Sequence, residues 1–184
     1  NHIWSKGFGG DSYYDDLPHA LRIGPEGNIH IAGEFPGTIN FGGEDITSVD
    51  SEDVYVAKFD SAGNHLWSDG FGGPESDIAH GLAVDSNGAM AITGKIEETA
   101  NFGGEDLTSA GDKDVFVAVF DNEGNHVFSS SYGSEGEDVG YGVDFDSESN
   151  LVITGSFDEM IEFGEEALVE DGNGGLYLVK LDDS

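Results

Sequence analysis

Residues 108–126 read TSAGDKDVFVAVFDNEGNH, and residues 47–65, which lie 61 positions earlier, read TSVDSEDVYVAKFDSAGNH. Both stretches alternate apolar and polar residues up to a turn of the form Asp-x-x-Gly-Asn, which is the pattern of a β-strand that enters a hairpin. A third copy begins at residue 172 as GNGGLYLVKLDDS and runs to residue 184. The chain is therefore a tandem repeat, and the repeating unit decides its fold.

The period of 61 residues recurs along the whole chain. Three sets of residues mark it: Gly33, Gly94 and Gly155; Phe41, Phe102 and Phe163; Asp60, Asp121 and Asp182. The length changes at DSYYDD, residues 11–16, which contains two additional residues in the first copy. An insertion of this kind indicates a loop.

Four strand-like segments appear in one unit, and they predict an all-β fold. In chain order the segments are 17–23, 29–35, 53–60 and 65–71; 78–85, 89–96, 114–121 and 126–133; and 139–146, 150–157 and 175–182. Short loops with glycine join the first pair and the last pair of each unit, so both pairs are expected to be hairpins. Residues 97–113 form a longer excursion, whose Phe102 is expected to fill a gap between neighbouring units. Four antiparallel strands per repeat predict the blades of a β-propeller.

The second copy carries a family resemblance in GLAVDSNGAMAITGKI at 81–96 and NFGGEDLTSAGDKDVFVAVFDNEGNHVFS at 101–129. It resembles the SBBP family of bacterial β-propeller repeats and, more distantly, NHL-type propellers. The resemblance covers essentially the whole chain, three times. It implies that the GLAVD strand is innermost in each blade and that the strand after DNEGN is outermost. It also implies a secreted or surface-attached bacterial protein. The third copy departs most, with FGEEA in place of FGGED.

We predict one domain over residues 1–184, with blade one at 10–71, blade two at 72–133 and blade three at 134–184. Blade three has its inner three strands in this sequence. Residues 2–9, HIWSKGFG, form an outermost-type strand that has no blade of its own. This leading strand is expected to act as a closure strand that completes the last blade, because an unpaired strand edge invites aggregation.

The number of blades favours closure between two chains. Three blades in one ring would each have to span about 120°, whereas two chains head to tail make six blades of about 60° each. We therefore predict a C2 homodimer formed by strand exchange. Two alternatives remain: a β-trefoil monomer, and a fragment of a longer array that closes with neighbouring repeats.

The charge is extreme, since 38 Asp and Glu stand against 6 Lys and Arg and give a formal net charge of −32. Such a chain repels a phosphate backbone, so nucleic acid is excluded as a partner. Two explanations of the acidity stay open, an environment of high salt and acidic loops that bind Ca²⁺. No apolar run approaches the ~20 residues of a membrane helix, so no membrane insertion is expected. The chain contains no cysteine and begins with neither a signal peptide nor Met, which indicates a mature product or an excised piece.

The histidines are the first candidates for catalysis, but most of them repeat with the blades, which favours a structural role. His2, His65 and His126 share one repeat position, and His19 and His80 share another that Tyr141 fills in the third copy. The unrepeated His30 lies in an alternating strand and is expected to be exposed. No GxSxG, HExxH or phosphate-binding loop occurs, so no catalytic or cofactor-binding residue is assigned.

The candidate metal site consists of Asp16, Asp77 and Asp138, which directly precede the innermost strands. In a ring these carboxylates would form a circle near the central channel, and Ca²⁺ prefers such oxygen ligands. The alternative is that each carboxylate caps backbone amides of its own loop. The turns DSAGN, DSNG and DNEGN also resemble parts of calcium loops, although a hairpin with glycine explains them without a metal.

The sequence favours a non-catalytic binding or scaffold module of a secreted or cell-surface protein, which presents loops to a glycan or protein ligand. One alternative is a propeller hydrolase or lyase with its site in GEEALVEDGNGG at 164–175, the most divergent stretch. Another is a unit whose activity is oligomerisation itself.

Overall fold

A computed structural model describes residues 1–10, 12–164, 166–170, 172 and 174–182 of the chain. Its regular elements are β-strands, apart from one 3₁₀ turn at Pro25–Gly27. In this part of the chain no helix is long and apolar enough to cross a membrane. The predicted all-β class is confirmed.

Sheet one and sheet two are four-stranded antiparallel sheets in which each strand pairs with the next along the chain. The strands of sheet one are β1 (Leu17–Ile23), β2 (Ile29–Ile39), β3 (Ile46–Phe59) and β4 (His65–Phe71). Those of sheet two are β5 (Ile78–Val84), β6 (Met90–Ala100), β7 (Leu107–Phe120) and β8 (His126–Tyr132). The four predicted strands of each unit are therefore present in the predicted order.

Sheet three has three strands in the order β13, β10, β9. These are β9 (Val139–Phe145), β10 (Leu151–Phe157) and β13 (Gly175–Leu181). A separate hairpin of β11 (Met160–Phe163) and β12 (Glu166–Val169) lies between β10 and β13 in the sequence. The inner three strands expected for the third unit are thus confirmed.

The excursion between the second and third strands of a unit is itself mostly strand, which the sequence prediction missed. In sheet two, β6 continues to Ala100 and β7 starts at Leu107, and the ladder between them shifts register between Glu97 and Thr99. Residues 101–106, NFGGED, connect the two strands. A register shift of this kind is a β-bulge, which bends a strand locally and increases its twist.

Residues 1–10 carry no strand in the single chain. The predicted closure strand at residues 2–9 therefore does not pair with β13 of its own chain, whose ladder partner is β10. Closure within one chain is not observed, and exchange between two chains stays a prediction.

The hairpins between the third and fourth strands form because an aspartate holds the turn. In sheet one, Asp60 Oδ1 accepts the backbone amides of Ala62 at 2.9 Å and Asn64 at 2.8 Å. The side-chain amide of Asn64 donates to Oδ2 at 2.8 Å. Gly63 supplies the positive φ of 80° that the turn requires. Asp121 repeats this arrangement in sheet two.

Apolar cores lie between successive sheets. The first core joins Val54 and Val56 of sheet one to Leu82, Ile92 and Phe102 of sheet two. Burying one such side chain stabilises the fold by roughly 1.5–3 kcal/mol. The expectation that Phe102 fills a gap between units is confirmed, since its ring stacks on Phe71 of sheet one with centroids 6.0 Å apart.

The second core repeats this packing one unit later. It joins Val115 and Val117 of sheet two to Val143, Ile153 and Tyr177 of sheet three. Strand β5 contacts β1 on one side and β9 on the other, so the first strands of the three sheets are neighbours. The three sheets therefore stack face to face in chain order, with sheet two in the middle.

Candidate functional site

The first strands of the three sheets bring equivalent side chains into one row. The rings of His19 and His80 lie 5.3 Å apart, and those of His80 and Tyr141 lie 5.5 Å apart. Burial, followed by the charges of His19 and Lys95, lowers the pKa of His80 to about 4. His80 is therefore neutral at physiological pH, and the row consists of imidazole and phenol groups that hold strands together.

The candidate metal ligands Asp77 and Asp138 each accept backbone amides from two separate segments of the chain. Asp77 Oδ2 accepts the amide of Gly73 at 2.8 Å and its Oδ1 accepts the amide of Glu97 at 3.2 Å. Asp138 does the same with Ser134 at 2.9 Å and Asp158 at 3.1 Å. The alternative given by the sequence, a carboxylate that caps backbone amides, describes both residues.

Asp16 differs from its two equivalents because a proline removes one donor. Its Oδ2 accepts the amide of Gly10 at 2.8 Å, but its buried Oδ1 has no hydrogen-bond partner. The position that would donate is Pro36, which stands 61 residues before Glu97 and lacks an N–H group. The three aspartates do not meet at one point. Among the described residues no group of three or more His, Asp or Glu side chains is arranged to hold a metal ion.

Each of the two buried aspartates faces a second carboxylate, which the sequence did not indicate as a site. A Cβ on Gly72 would lie 2.5 Å from Asp53 Oδ1 and 2.8 Å from Asp77 Oδ2. A Cβ on Gly133 would meet Asp114 Oδ1 at 2.5 Å and Asp138 Oδ2 at 2.7 Å. We call these pairs the junction dyads, because each joins the third strand of one sheet to the loop that enters the next.

The junction dyads are almost completely removed from water. The four residues are exposed by 3% or less: Asp53, Asp77, Asp114 and Asp138. Burial raises the pKa of Asp53 to about 7, and burial together with the charge of Asp53 raises the pKa of Asp77 to about 7. Burial likewise raises the pKa of Asp138 to about 6. The 61-residue spacing of Asp53 and Asp114 could have shown that these acids are a repeated feature. It could not show whether their side chains face the core or the solvent.

The expectation for His30 is wrong, since its side chain is completely buried. Neither ring nitrogen has a hydrogen-bond partner, and a Cβ on Gly24 would lie 2.9 Å from Nε2. Burial, and then the charge of Lys58, lowers the pKa of His30 to about 4. The alternation of β2 places His30 on the same side as the buried Ala32, so the ring is inside because its strand register puts it there.

The repeated histidines His65 and His126 have the structural role that their spacing indicates. His65 Nε2 lies 3.0 Å from Ser68 Oγ, and His126 Nε2 lies 3.0 Å from Ser129 Oγ. Each ring covers the Gly pair of an NFGG turn so closely that a Cβ on Gly43 would lie 2.4 Å from His65 Cε1. These imidazoles pack the NFGG turn, which connects the second and third strands, against the start of the fourth strand.

The turns that resemble calcium loops use their carboxylates on their own backbone. The side chain of Asn64, and then its backbone amide, hold the pKa of Asp60 below its ordinary value. Asp85 accepts the amides of Asn87 and Ala89, both at 2.8 Å. A metal ion would have to displace these bonds, so the turns are explained as hairpins.

The divergent stretch 164–175, where an enzymatic site was the alternative, is only partly described. Glu165, Asp171 and Asn173 of this stretch lie outside the described residues. The alternative of a hydrolase or lyase therefore stays a prediction.

Comparisons with known proteins are sparse. No family model matches the sequence. Among curated proteins, the chain is similar to the regulatory protein FlaEY of Caulobacter vibrioides, with 25% identity over 145 residues. This similarity covers 74% of the chain but 14% of FlaEY, so the chain spans much less than two thirds of the length of that relative. The resemblance to SBBP repeats thus stays a prediction from sequence.

Proposed function

We propose that the three sheets are blades of a β-propeller and that the chain is a non-catalytic scaffold that presents loops to a ligand. The observation that carries this proposal is the repeated use of its polar groups. Carboxylates and imidazoles that the sequence offers for chemistry bind backbone amides, hydroxyls or glycine turns in the same way in successive sheets. A catalytic group is needed once, whereas each of these arrangements occurs in at least two sheets.

The order of the strands supports blades over a β-trefoil. Sheets one and two are meanders of four consecutive strands, and the first strands of all three sheets adjoin. Blades around a common axis would have this strand order and these neighbours. The row His19, His80 and Tyr141 then lies on the axial side.

The loop that breaks the repeat is the best candidate for ligand contact. Tyr13 and Tyr14 are exposed by 98% and 68%, and their rings lie 5.9 Å apart at a steep angle. The equivalent loops, GPESD at 73–77 and SEGED at 134–138, carry no aromatic residue. Tyrosine combines a rigid apolar ring with a hydroxyl, so it contacts glycans and proteins at a low cost in conformational entropy.

The setting of this scaffold follows from the resemblances. The SBBP resemblance supports a secreted or cell-surface protein, and the name of FlaEY describes a regulatory protein. The ligand classes we propose are therefore a protein or a surface glycan. The proposal does not require Ca²⁺, so binding is measured both with and without the ion.

Binding to immobilised glycans and to cell-surface protein extracts, each with and without Ca²⁺, tests the proposal. Tyr13→Ser/Tyr14→Ser is expected to lower the binding at least about tenfold, since loss of a central aromatic anchor typically costs this much or more. Leu66→Ser/Val127→Ser removes two exposed apolar side chains elsewhere and is expected to leave binding unchanged. Turnover of a glycan by the protein would overturn the non-catalytic function. If the chain formed oligomers but bound neither glycans nor proteins, its function would be oligomerisation alone.

A further inference from the structure

The outer face of sheet three exposes side chains that belong to a core in the other sheets. Leu176 and Leu178 of β13 are exposed by 82% and 73%. Their equivalents, which lie 61 and 122 residues earlier, are completely buried between sheets: Val54, Val56, Val115 and Val117. The residues are still large and apolar, so this face has the composition of an interface between sheets.

The outer face of sheet one shows the complementary difference. Leu21 of β1 is exposed by 55%, whereas its equivalents Leu82 and Val143 are exposed by 0% and 6%. Leu82 is buried because sheet one covers it, and Val143 because sheet two covers it. The face around Leu21 therefore has the side chains of a covered face.

The leading segment lies on this face in the position of a fourth strand. Trp4 Nε1 donates to the carbonyl of Ser61 at 3.4 Å, as Trp67 Nε1 of β4 donates to the carbonyl of Asn122 at 3.3 Å. Trp4 also covers Gly63 as Trp67 covers Gly124. Trp4 thus has the same contacts with sheet one that a β4 residue has with sheet two.

The ring of Phe8 continues the same equivalence. Phe8 lies 5.2 Å from Phe41, in the place that Phe71 occupies 6.0 Å from Phe102. Residues 4 and 8 therefore hold the positions of a fourth strand next to sheet one, and no strand of the described residues pairs with them. β13, in turn, has β10 on one side and no strand on its other edge among the described residues.

We propose that a second copy of this chain docks sheet three on the Leu21 face, and that residues 2–9 add to its β13 as the fourth strand in one defined register. The inference rests on the proposed propeller arrangement and names its partner. Two such junctions related by a two-fold axis close a ring of two chains. The occupant is a second copy because the face continues interfaces that the chain already makes twice within itself.

The register follows from the two ladders within the chain. β3 and β4 pair Val54 with Phe71, Val56 with Asp69 and Lys58 with Trp67, and β7 and β8 pair the equivalent residues. Transferred to the junction between chains, the pairs are Leu176 with the partner's Phe8, Leu178 with the partner's Lys6 and Lys180 with the partner's Trp4. A slip of one residue would turn every side chain to the opposite face.

The junction between chains also avoids the buried acids of the two inner junctions. Gly175 stands at the place of Asp53 and Asp114, so Asp16 meets no second carboxylate there. For two chains that each carry a formal charge of −32, the absence of a buried pair of acids favours association.

Cross-linking tests the register directly, since the chain has no cysteine of its own. Ser5→Cys/Val179→Cys places two thiols opposite each other in the proposed register, at positions whose equivalents Ser68 and Ala57 pair in sheet one. Oxidation is expected to give a covalent dimer that thiol reduction reverses. In the control Ser5→Cys/Lys180→Cys the thiols lie on opposite faces, and the yield of dimer is expected to fall at least about tenfold.

Light scattering of the unmodified chain at moderate salt gives the second readout. A dimer is expected, and Leu176→Ser/Leu178→Ser is expected to raise its dissociation constant by about 100-fold or more. Leu66→Ser/Val127→Ser is the control that also replaces two exposed apolar side chains, at positions outside the interface. A monomeric chain overturns the proposal, as does a dimer that cross-links best in the control register. Neither result touches ligand binding through Tyr13 and Tyr14, so the scaffold function fails or survives separately.

Discussion

His30 shows how the three copies can be compared to judge a single residue. Its equivalents, Ala91 and Val152, are apolar, while His30 buries two ring nitrogens without hydrogen bonds. A buried polar group without a partner costs about 1–3 kcal/mol. The register of β2 places the ring inside, and no hydrogen bond to the described residues offsets the cost of burying its two nitrogens.

His30→Val is therefore expected to stabilise the chain by about 1 kcal/mol at pH 7, which is about 2–4 °C in Tm. The folded pKa of His30, about 4, lies below its ordinary value of 6.5, so the unfolded chain binds more protons. Stability is consequently lost as the pH falls from about 6.5 to about 4. The gain from His30→Val should therefore be larger at pH 5, as thermal unfolding at both pH values would show. His65→Val, which removes a bond to Ser68, should lower Tm instead; a fall in Tm for His30→Val would contradict the argument.

The junction dyads titrate in the opposite sense. The folded pKa values of Asp53 and Asp77, about 7, lie above the ordinary value of 3.8, so the folded chain binds more protons. Their contribution to stability is present below about pH 4 and is lost as the pH rises towards 7, with a tenfold change in the unfolding constant per pH unit for each proton. Glu97 of β6 acts in both directions: the hydrogen bond from its backbone amide lowers the pKa of Asp77, while the charge of its side chain raises it.

Asp53→Asn/Asp114→Asn is expected to reduce the loss of Tm between pH 5 and pH 8, because an amide is neutral and donates to the remaining carboxylate. Glu44→Gln/Glu105→Gln removes the same formal charge at exposed positions and should retain the loss. Titration of the side-chain carboxyl carbons by NMR identifies the groups. If all four dyad carboxyls titrated below pH 5, the prediction would be wrong.

At the scale of residues, the sequence predicts where an aspartate lies along a strand or loop better than it predicts which residues that aspartate contacts. The 61-residue period located Asp77 and Asp138 next to the first strands and offered the capping role that the structure shows. It did not locate Asp53, because a charged residue in an alternating strand is normally assigned to the solvent side. Burial of Asp53 comes from the loop of the next sheet, which is a long-range contact.

At the scale of elements, the first pair of strands in each sheet depends on a glycine that permits a bulge. A Cβ on Gly94 of β6 would lie 1.8 Å from the carbonyl oxygen of Ile78, and the ladder shifts register between Ala79 and Gly81. Gly33 and Gly155 meet the carbonyls of Leu17 and Val139 in the same way. The glycine marks the close approach of two backbones, neither of which can move without breaking the ladder.

Gly94→Ala is expected to destabilise the chain by at least about 3 kcal/mol, the upper end of the cost of overpacking, because the clash is with backbone. Gly7→Ala, measured like Gly94→Ala at a protein concentration that dissociates the proposed dimer, is the matched control, since a Cβ there would have no neighbour within 4 Å in the single chain. Chemical denaturation should give a lower midpoint for Gly94→Ala and an unchanged one for Gly7→Ala. Equal midpoints would mean that β5 and β6 can separate locally without cost.

Strand bounds were predictable where turn chemistry marks both ends. The prediction of 65–71 for β4 matches His65–Phe71, since an Asp-x-x-Gly-Asn turn precedes it and a Gly pair follows. The start of β3 was predicted at residue 53, but the strand begins at Ile46. Residues 46–52 have the composition of a loop, and they are held as strand by pairing with the end of β2 across a bulge, which no local pattern reveals.

At the scale of the whole molecule, the acidic surface opposes both folding and association. Packing between sheets must exceed the mutual repulsion of 38 acidic side chains. Some acids among the described residues form ion pairs. Lys95 lies 3.1 Å from Glu137, and Lys180 lies 2.5 Å from Asp146. Most of the charge is therefore screened by solvent ions alone, so stability depends on the ionic strength.

Raising NaCl from 0.1 M to 1 M shortens the Debye length from about 10 Å to about 3 Å, so most repulsion between surface carboxylates disappears. We expect Tm to rise by about 5 °C or more, a gain of at least about 1 kcal/mol for a chain of this size. The proposed dimer should tighten in parallel, because its two chains repel each other.

CaCl₂ at matched ionic strength separates screening from a specific site. Equal shifts in Tm are expected from screening, since the described carboxylates form no metal cluster. A larger shift with Ca²⁺, saturating at millimolar concentration, would mean that acidic loops bind the ion and that the high charge serves calcium rather than salt.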